Sequence, residues 1–171
     1  MTKVIPNASA PALSVPLVGG GQFTLSKSAP KNFSMIVFYR GLHCPVCKGY
    51  LGGLEKLLPQ YKERGIDVVA ISMDGEAKAA QSKIEWGLPS LQLGFGVDQA
   101  TARAWGLYMS KSIREGEPDL FNEPGLFLVR PDGNAFLAAT ASMPWGRPNL
   151  EELLPKIDYA LEKKYPARGD A

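Results

Sequence analysis

Phe33-Ser34-Met35-Ile36-Val37-Phe38-Tyr39-Arg40-Gly41-Leu42-His43-Cys44-Pro45-Val46-Cys47 runs from an unbroken apolar stretch into the only two cysteines of the chain. A β-branched and aromatic run of this kind reads as a strand over Phe33–Arg40, buried on both faces as central parallel strands are. Gly41 frees the backbone for a turn, and Pro45 suits the first position of a helix, where its missing N–H costs nothing. The spacing puts Cys44 at the mouth of that helix and Cys47 about one turn inside it. Unpaired backbone N–H groups and the helix dipole favour a thiolate at such a position. The stretch therefore reads as a redox or nucleophile site.

Working outward, Leu51, Leu54, Leu57 and Leu58 recur at helical spacing, so a helix reaching about Arg64 packs one face on a sheet. Gly49, Gly52 and Gly53 lower its propensity and read as small residues that let it approach the sheet closely. Gly65 ends it, and Ile66–Ser72 is a second buried strand. Asp74–Trp86 reads as a helix and Gln92–Phe95 as a short strand, and Asp98 caps a helix through about Trp105. Tyr108–Asn122 is long and polar and reads as a mobile loop that gates access. Gly125–Arg130 and Ala135–Thr140 flank the hairpin turn Pro131-Asp132-Gly133-Asn134, and Asn149 caps a last helix over Leu150–Lys164. Upstream, Leu13–Val18 and Gln22–Leu25 flank three glycines and form a small hairpin within an N-terminal extension.

The composition excludes several classes. The chain of 171 residues fits one domain, spanning 1–171, with a sizeable core. A net charge of +2, with scattered Lys and Arg, gives no footprint for nucleic acid or an anionic membrane. No apolar run reaches the roughly 18 residues of a membrane span, and the first residues lack the apolar core of a secretory signal, so a cytoplasmic protein is expected. Zinc is disfavoured, since about four ligands are needed and only His43 and carboxylates could join the cysteines. No nucleotide or flavin motif is present, so neither metal nor cofactor is expected.

Strand–helix–strand–helix followed by a hairpin and a final helix is a three-layer α/β pattern with a central mixed sheet. With Cys44-Pro45-Val46-Cys47 at the first strand–helix junction it resembles the thioredoxin-like fold. Pro11-Ala12-Leu13-Ser14-Val15, Val37-Phe38-Tyr39-Arg40-Gly41, Val68-Val69-Ala70-Ile71-Ser72-Met73-Asp74 and Leu126-Phe127-Leu128-Val129-Arg130-Pro131-Asp132-Gly133 narrow the resemblance to the redoxin branch, the peroxiredoxin-like AhpC/TSA family. That resemblance implies a thiol-dependent oxidoreductase working through Cys44 and Cys47. Its substrate would be a peroxide or a disulfide, with a thiol such as thioredoxin or glutathione as reductant. A homodimer is among the assemblies it allows. The rival class is a non-enzymatic, redox-responsive binding module on the same scaffold.

The family's peroxide site has Pro and Thr before the peroxidatic cysteine and a distant Arg. Here those positions fall on Arg40, Cys44 and Pro124, with Cys47 at the peroxidatic cysteine. A first cysteine in place of Thr and a proline in place of Arg resemble thioredoxins and glutaredoxins, whose cis-proline stands at a strand start. On that resemblance Cys44 is the nucleophile, Cys47 resolves, and a cis Pro124 shapes the substrate groove. His43, beside Cys44, is a candidate to tune the thiolate or shuttle a proton. Arg40 and Arg147 are candidate supporting cations, although an arginine at a strand end is commonly paired with a carboxylate.

Overall fold

The computed structural model describes residues 3–171, as four α-helices, one short 3-10 helix (Leu25–Lys27) and nine strands. Five strands form the central sheet: β3 (Phe33–Phe38), β4 (Ile66–Ile71), β5 (Gln92–Gly94), β8 (Gly125–Val129) and β9 (Ala135–Thr140), in the order β5-β4-β3-β8-β9. The β3–β4 and β4–β5 pairs are parallel; β3–β8 and β8–β9 are antiparallel. β3 is thus the middle strand, and its alternating side chains enter two separate cores. Met35 and Val37 face a layer built with Leu51, Leu54, Leu57, Leu153, Leu154 and Ile157. These come from helices α1 (Pro45–Glu63) and α4 (Leu150–Glu162). Ile36 and Phe38 face the opposite layer, where Phe38 and Phe127 pack on the buried Trp105 that closes α3 (Gln99–Ala104). Burial on both faces is what an uninterrupted apolar strand requires.

Two short hairpins flank the sheet. The first joins β1 (Ser14–Pro16) to β2 (Gln22–Thr24), as the glycine-separated strand pieces predict. The second joins β6 (Met109–Lys111) to β7 (Leu120–Asn122), and it corrects the expectation of a mobile loop over 108–122. Buried Phe121 and Asn122 anchor that hairpin, so the polarity read there belongs only to its tip. The helix after β4, α2, is Glu76–Glu85 and begins two residues later than the sequence suggests, because Asp74 turns inward instead of opening it. Gly49, Gly52 and Gly53 also depart from expectation. A Cβ on any of them meets nothing within 4 Å, so none lies against the sheet.

Because β3 and β4 are parallel, the segments leaving their C-terminal ends lie side by side. The antiparallel β8 starts at the same edge, since Gly125 pairs with Phe38. Three connections therefore converge where β3 gives way to Cys44.

Candidate active site

Cys44 is the N-cap of α1, with extended φ/ψ of −106° and 100°, and Pro45 occupies the first turn as its fixed φ favours. The Cys44 Sγ accepts a hydrogen bond from the Cys47 N–H at 3.2 Å, doing with sulfur what a Ser or Asp oxygen does at most helix starts. Hydrogen bonding from the Cys47 thiol, then from its backbone, with Arg147 and Arg40 adding positive charge, lowers the Cys44 thiol from 9.0 to about 6. Cys47 moves the opposite way. Burial and the neighbouring Cys44 push its thiol up, and the Arg147 charge only partly offsets them. One thiolate, on Cys44, with the proton kept by Cys47, is the resting state this geometry favours. Both cysteines are free thiols.

Arg147 reaches this pair from the loop before α4. Its Nε donates to the Pro144 carbonyl at 2.8 Å, its guanidinium stacks 4.2 Å over the Tyr50 ring, and its Nη2 donates to Cys47 Sγ at 3.5 Å. Tyr50 in turn donates its hydroxyl to the Pro148 carbonyl at 2.8 Å, holding the loop on α1. The remaining Arg147 Nη1 is buried without a partner. A groove of about 710 Å³ opens beside it, lined by Val46, Gly49, Tyr50, Trp145 and Arg147 among others. A second cleft, of about 800 Å³ and lined by Lys27, Glu55, Lys62 and Asp67 among others, includes neither cysteine.

Arg40 and His43 form a second cluster on the β6–β7 hairpin. The Arg40 guanidinium lies 4.7 Å over the Phe121 ring and pairs with Glu123 at 3.3 Å. Glu123 is itself 3% exposed and accepts the Ser110 hydroxyl at 2.6 Å. Arg40 therefore faces a buried carboxylate, the commoner fate of a strand-end arginine, without a hydrogen bond between the two facing atoms. The His43 ring packs on Phe121 at 4.6 Å, and burial, then Arg40, lower its pKa to about 4. His43 is neutral at physiological pH.

Pro124 does not take the predicted form. No peptide bond among the described residues is cis. The trans path is fixed on both sides: Glu123 N–H donates to the Tyr108 carbonyl, and the Pro124 carbonyl accepts from Ala141 N–H. The proline costs no ladder bond at the strand start and is buried. The structure thus joins Cys44, Cys47 and Arg147, sets Arg40 and His43 beside them, and places a trans Pro124 just before Gly125, at the sheet edge where β3 ends. The sequence reading missed Phe121, Glu123 and Tyr50. Their only signal was the hairpin and loop they belong to, whose packing has no local pattern.

No group of three or more His, Cys, Asp or Glu side chains among the described residues is arranged to hold a metal ion. A dithiol at a helix mouth on a thioredoxin-like mixed sheet defines a thiol-dependent oxidoreductase. The profile of the AhpC/TSA family matches residues 6–135, and the chain belongs to that family. Alkyl hydroperoxide reductase C of Helicobacter pylori is 28% identical over 165 residues, covering 94% of this chain and 80% of the relative. Among solved structures, the reduced 2-Cys peroxiredoxin of Plasmodium vivax superposes with a TM-score of 0.76 at 17% identity, covering 94% of this chain and 84% of that one. AhpC of Mycobacterium bovis gives 0.76 at 16%, covering 100% and 99%. Nothing in the site or among these relatives favours a non-enzymatic binding module.

Proposed function

We propose that the protein is a peroxidase for small hydroperoxides that closes a Cys44–Cys47 disulfide in each cycle. The observation that carries this reading is burial: Cys44 is 1% exposed and Cys47 0%. A protein disulfide must bring its own sulfur in line with the attacking thiolate, and such a wall blocks it, whereas a peroxide oxygen needs only a narrow path. The relatives named for alkyl hydroperoxide reduction point the same way.

In the proposed cycle the Cys44 thiolate attacks one peroxide oxygen, the O–O bond breaks, and the leaving oxygen takes a proton to become water or an alcohol. Cys44 becomes a sulfenic acid. Cys47 then attacks the Cys44 sulfur and expels water, its own proton leaving as the S–S bond forms. Arg147 favours this second step by stabilising the Cys47 thiolate, and its free Nη1 offers a donor to a peroxide oxygen. Two electrons from an external thiol restore the dithiol: a small thiol such as glutathione suits the buried site, and a thioredoxin requires that the first turn of α1 open in the disulfide form. A reducing compartment, the cytoplasm, suits that requirement. Among the described residues no helix is long and apolar enough to cross a membrane.

Stopped-flow mixing of reduced protein with hydrogen peroxide and with an alkyl hydroperoxide, followed by intact mass, tests the reading. Fast conversion to a species lighter by two hydrogens is expected. Oxidation no faster than that of free cysteine, with ready reaction towards small mixed disulfides, would replace it with disulfide exchange.

A further inference from the structure

Asp74 is a buried carboxylate that the cycle above does not use. It is 4% exposed and sits between β4 and α2, beside the segment that leaves the parallel β3. Its Oδ2 accepts the Leu42 N–H at 2.7 Å. Leu42 is the second residue of a turn closed by Cys44 N–H on the Gly41 carbonyl at 3.1 Å. Two successive hydrogen bonds therefore run from Asp74 to the residue that bears the sulfur.

Gly41 shows that the fit is specific. Its φ is +130°, and a Cβ there would lie 2.6 Å from Asp74 Oδ2 and 2.9 Å from Cγ. The carboxylate occupies the space a side chain would fill, so Gly41 meets two demands, the backbone turn and room for Asp74. Burial raises the Asp74 pKa, and the Leu42 N–H and the Lys78 charge oppose that. The charged and titratable groups around it include Glu76 and Lys78 from α2 and Tyr39, which follows β3. A carboxylate kept in such a place at a desolvation cost needs a use.

We propose that Asp74 is the positioning residue of the redox loop, holding the Gly41–Cys44 turn so that the Cys44 sulfur stays in register with the Cys47 N–H. This rests on the reading of Cys44 as the reacting thiolate, but not on which substrate it attacks. The charges acting on Cys44 come chiefly from Arg147 and Arg40. Asp74 therefore works through register. Losing it leaves the Leu42 N–H without its acceptor and lets the turn drift, and the Cys44 thiolate loses its donor.

The test compares Asp74→Ala with Asp74→Asn in the reduced full-length protein, following thiolate absorbance against pH and amide exchange at Leu42. Asp74→Ala should raise the Cys44 pKa by about one unit, so that the thiolate fraction below that pKa falls about tenfold, with protection lost at Leu42. Asp74→Asn keeps an acceptor oxygen and should restore most of both. If the alanine variant does not fold, Asp74→Glu carries the test, because its extra methylene pushes against Gly41 and should displace the same bond. Unchanged pKa and Leu42 protection in Asp74→Ala, or in Asp74→Glu where that carries the test, would overturn the proposal. Equal downward shifts in Ala and Asn would do so too, by assigning the effect to the lost negative charge. None of these readings uses peroxide, so they stand or fall separately from the peroxidase assignment.

Discussion

An imidazole next to a thiolate is usually read as its acid–base partner, and His43 has the position for it. Its surroundings deny it the proton. Burial and Arg40 hold its pKa near 4, so between pH 5.5 and 8 it carries no charge to exchange. His43 is the only histidine in the chain, which makes the point directly measurable. Its C2-proton resonance should stay flat across that range, and the rate of reaction with peroxide should show one inflection, near 6, from Cys44. A second inflection between 6 and 7 that vanishes in His43→Gln would restore the shuttle role. In the proposed cycle Arg147 also supports the second step, disulfide closure. Arg147→Met removes a charge-assisted bond to the Cys47 sulfur, worth about 1.5–3 kcal/mol, so disulfide closure should slow by about ten- to a hundredfold. Under excess peroxide, intact mass should then show Cys44 gaining second and third oxygens where the parent protein closes its disulfide. A parent-like product distribution would remove Arg147 from the mechanism.

At the scale of elements, α1 carries both the chemistry and an apparent weakness. Gly49 and Gly53 have ordinary helical φ, and an added Cβ meets nothing within 4 Å. Gly49→Ala and Gly53→Ala should each stabilise the protein by about 0.5–1 kcal/mol in denaturant titrations, since helix propensity is the only term that changes. A loss of stability would mean that the groove beside them closes in solution. Tyr61 sits on the opposite, buried face and donates its hydroxyl to the Leu150 carbonyl at 2.7 Å, tying α1 to the start of α4. Tyr61→Phe should cost about 1–2 kcal/mol and leave the Cys44 pKa unmoved. These elements were largely legible in the sequence, because their signals are local. The apolar run of β3, the Pro45 start, the Gly65 stop and the Asn149 cap each act within a turn of themselves. The β6–β7 hairpin was not legible. Its strands are three residues each, and only the tertiary burial of Phe121 and Asn122 distinguishes them from loop.

For the whole molecule, the two cysteines were legible because spacing and a preceding buried strand state the chemistry outright. Their energetics were legible only in outline: the sequence offered Arg147 as a candidate cation, but it lies a hundred residues from Cys47 and only the closed fold brings it to that sulfur. The same closure couples redox state to stability. In the reduced protein the folded Cys44 pKa of about 6 lies below the ordinary 9.0, so between these values the unfolded chain binds more protons than the native one. The stability that Cys44 contributes therefore grows as pH rises from 6 to 9 and is lost as pH falls through 6. Cys47 has the opposite sign, its raised pKa costing stability only above the ordinary value. His43, lowered from 6.5 to about 4, also adds stability as pH rises between those values, but equally in both redox forms. The disulfide form has no thiol to titrate, so the stability difference between reduced and oxidised protein isolates the cysteines. Guanidinium unfolding of both forms at pH 5, 7 and 8.5 should show the reduced form gaining on the oxidised one by no more than about 1.4 kcal/mol per pH unit. A reduced state held by its own thiolate also makes the disulfide a stronger oxidant, and equilibration with glutathione should find it readily reduced. Parallel stability curves together with a disulfide that resists glutathione would show that the Cys44 thiolate is not held by the fold.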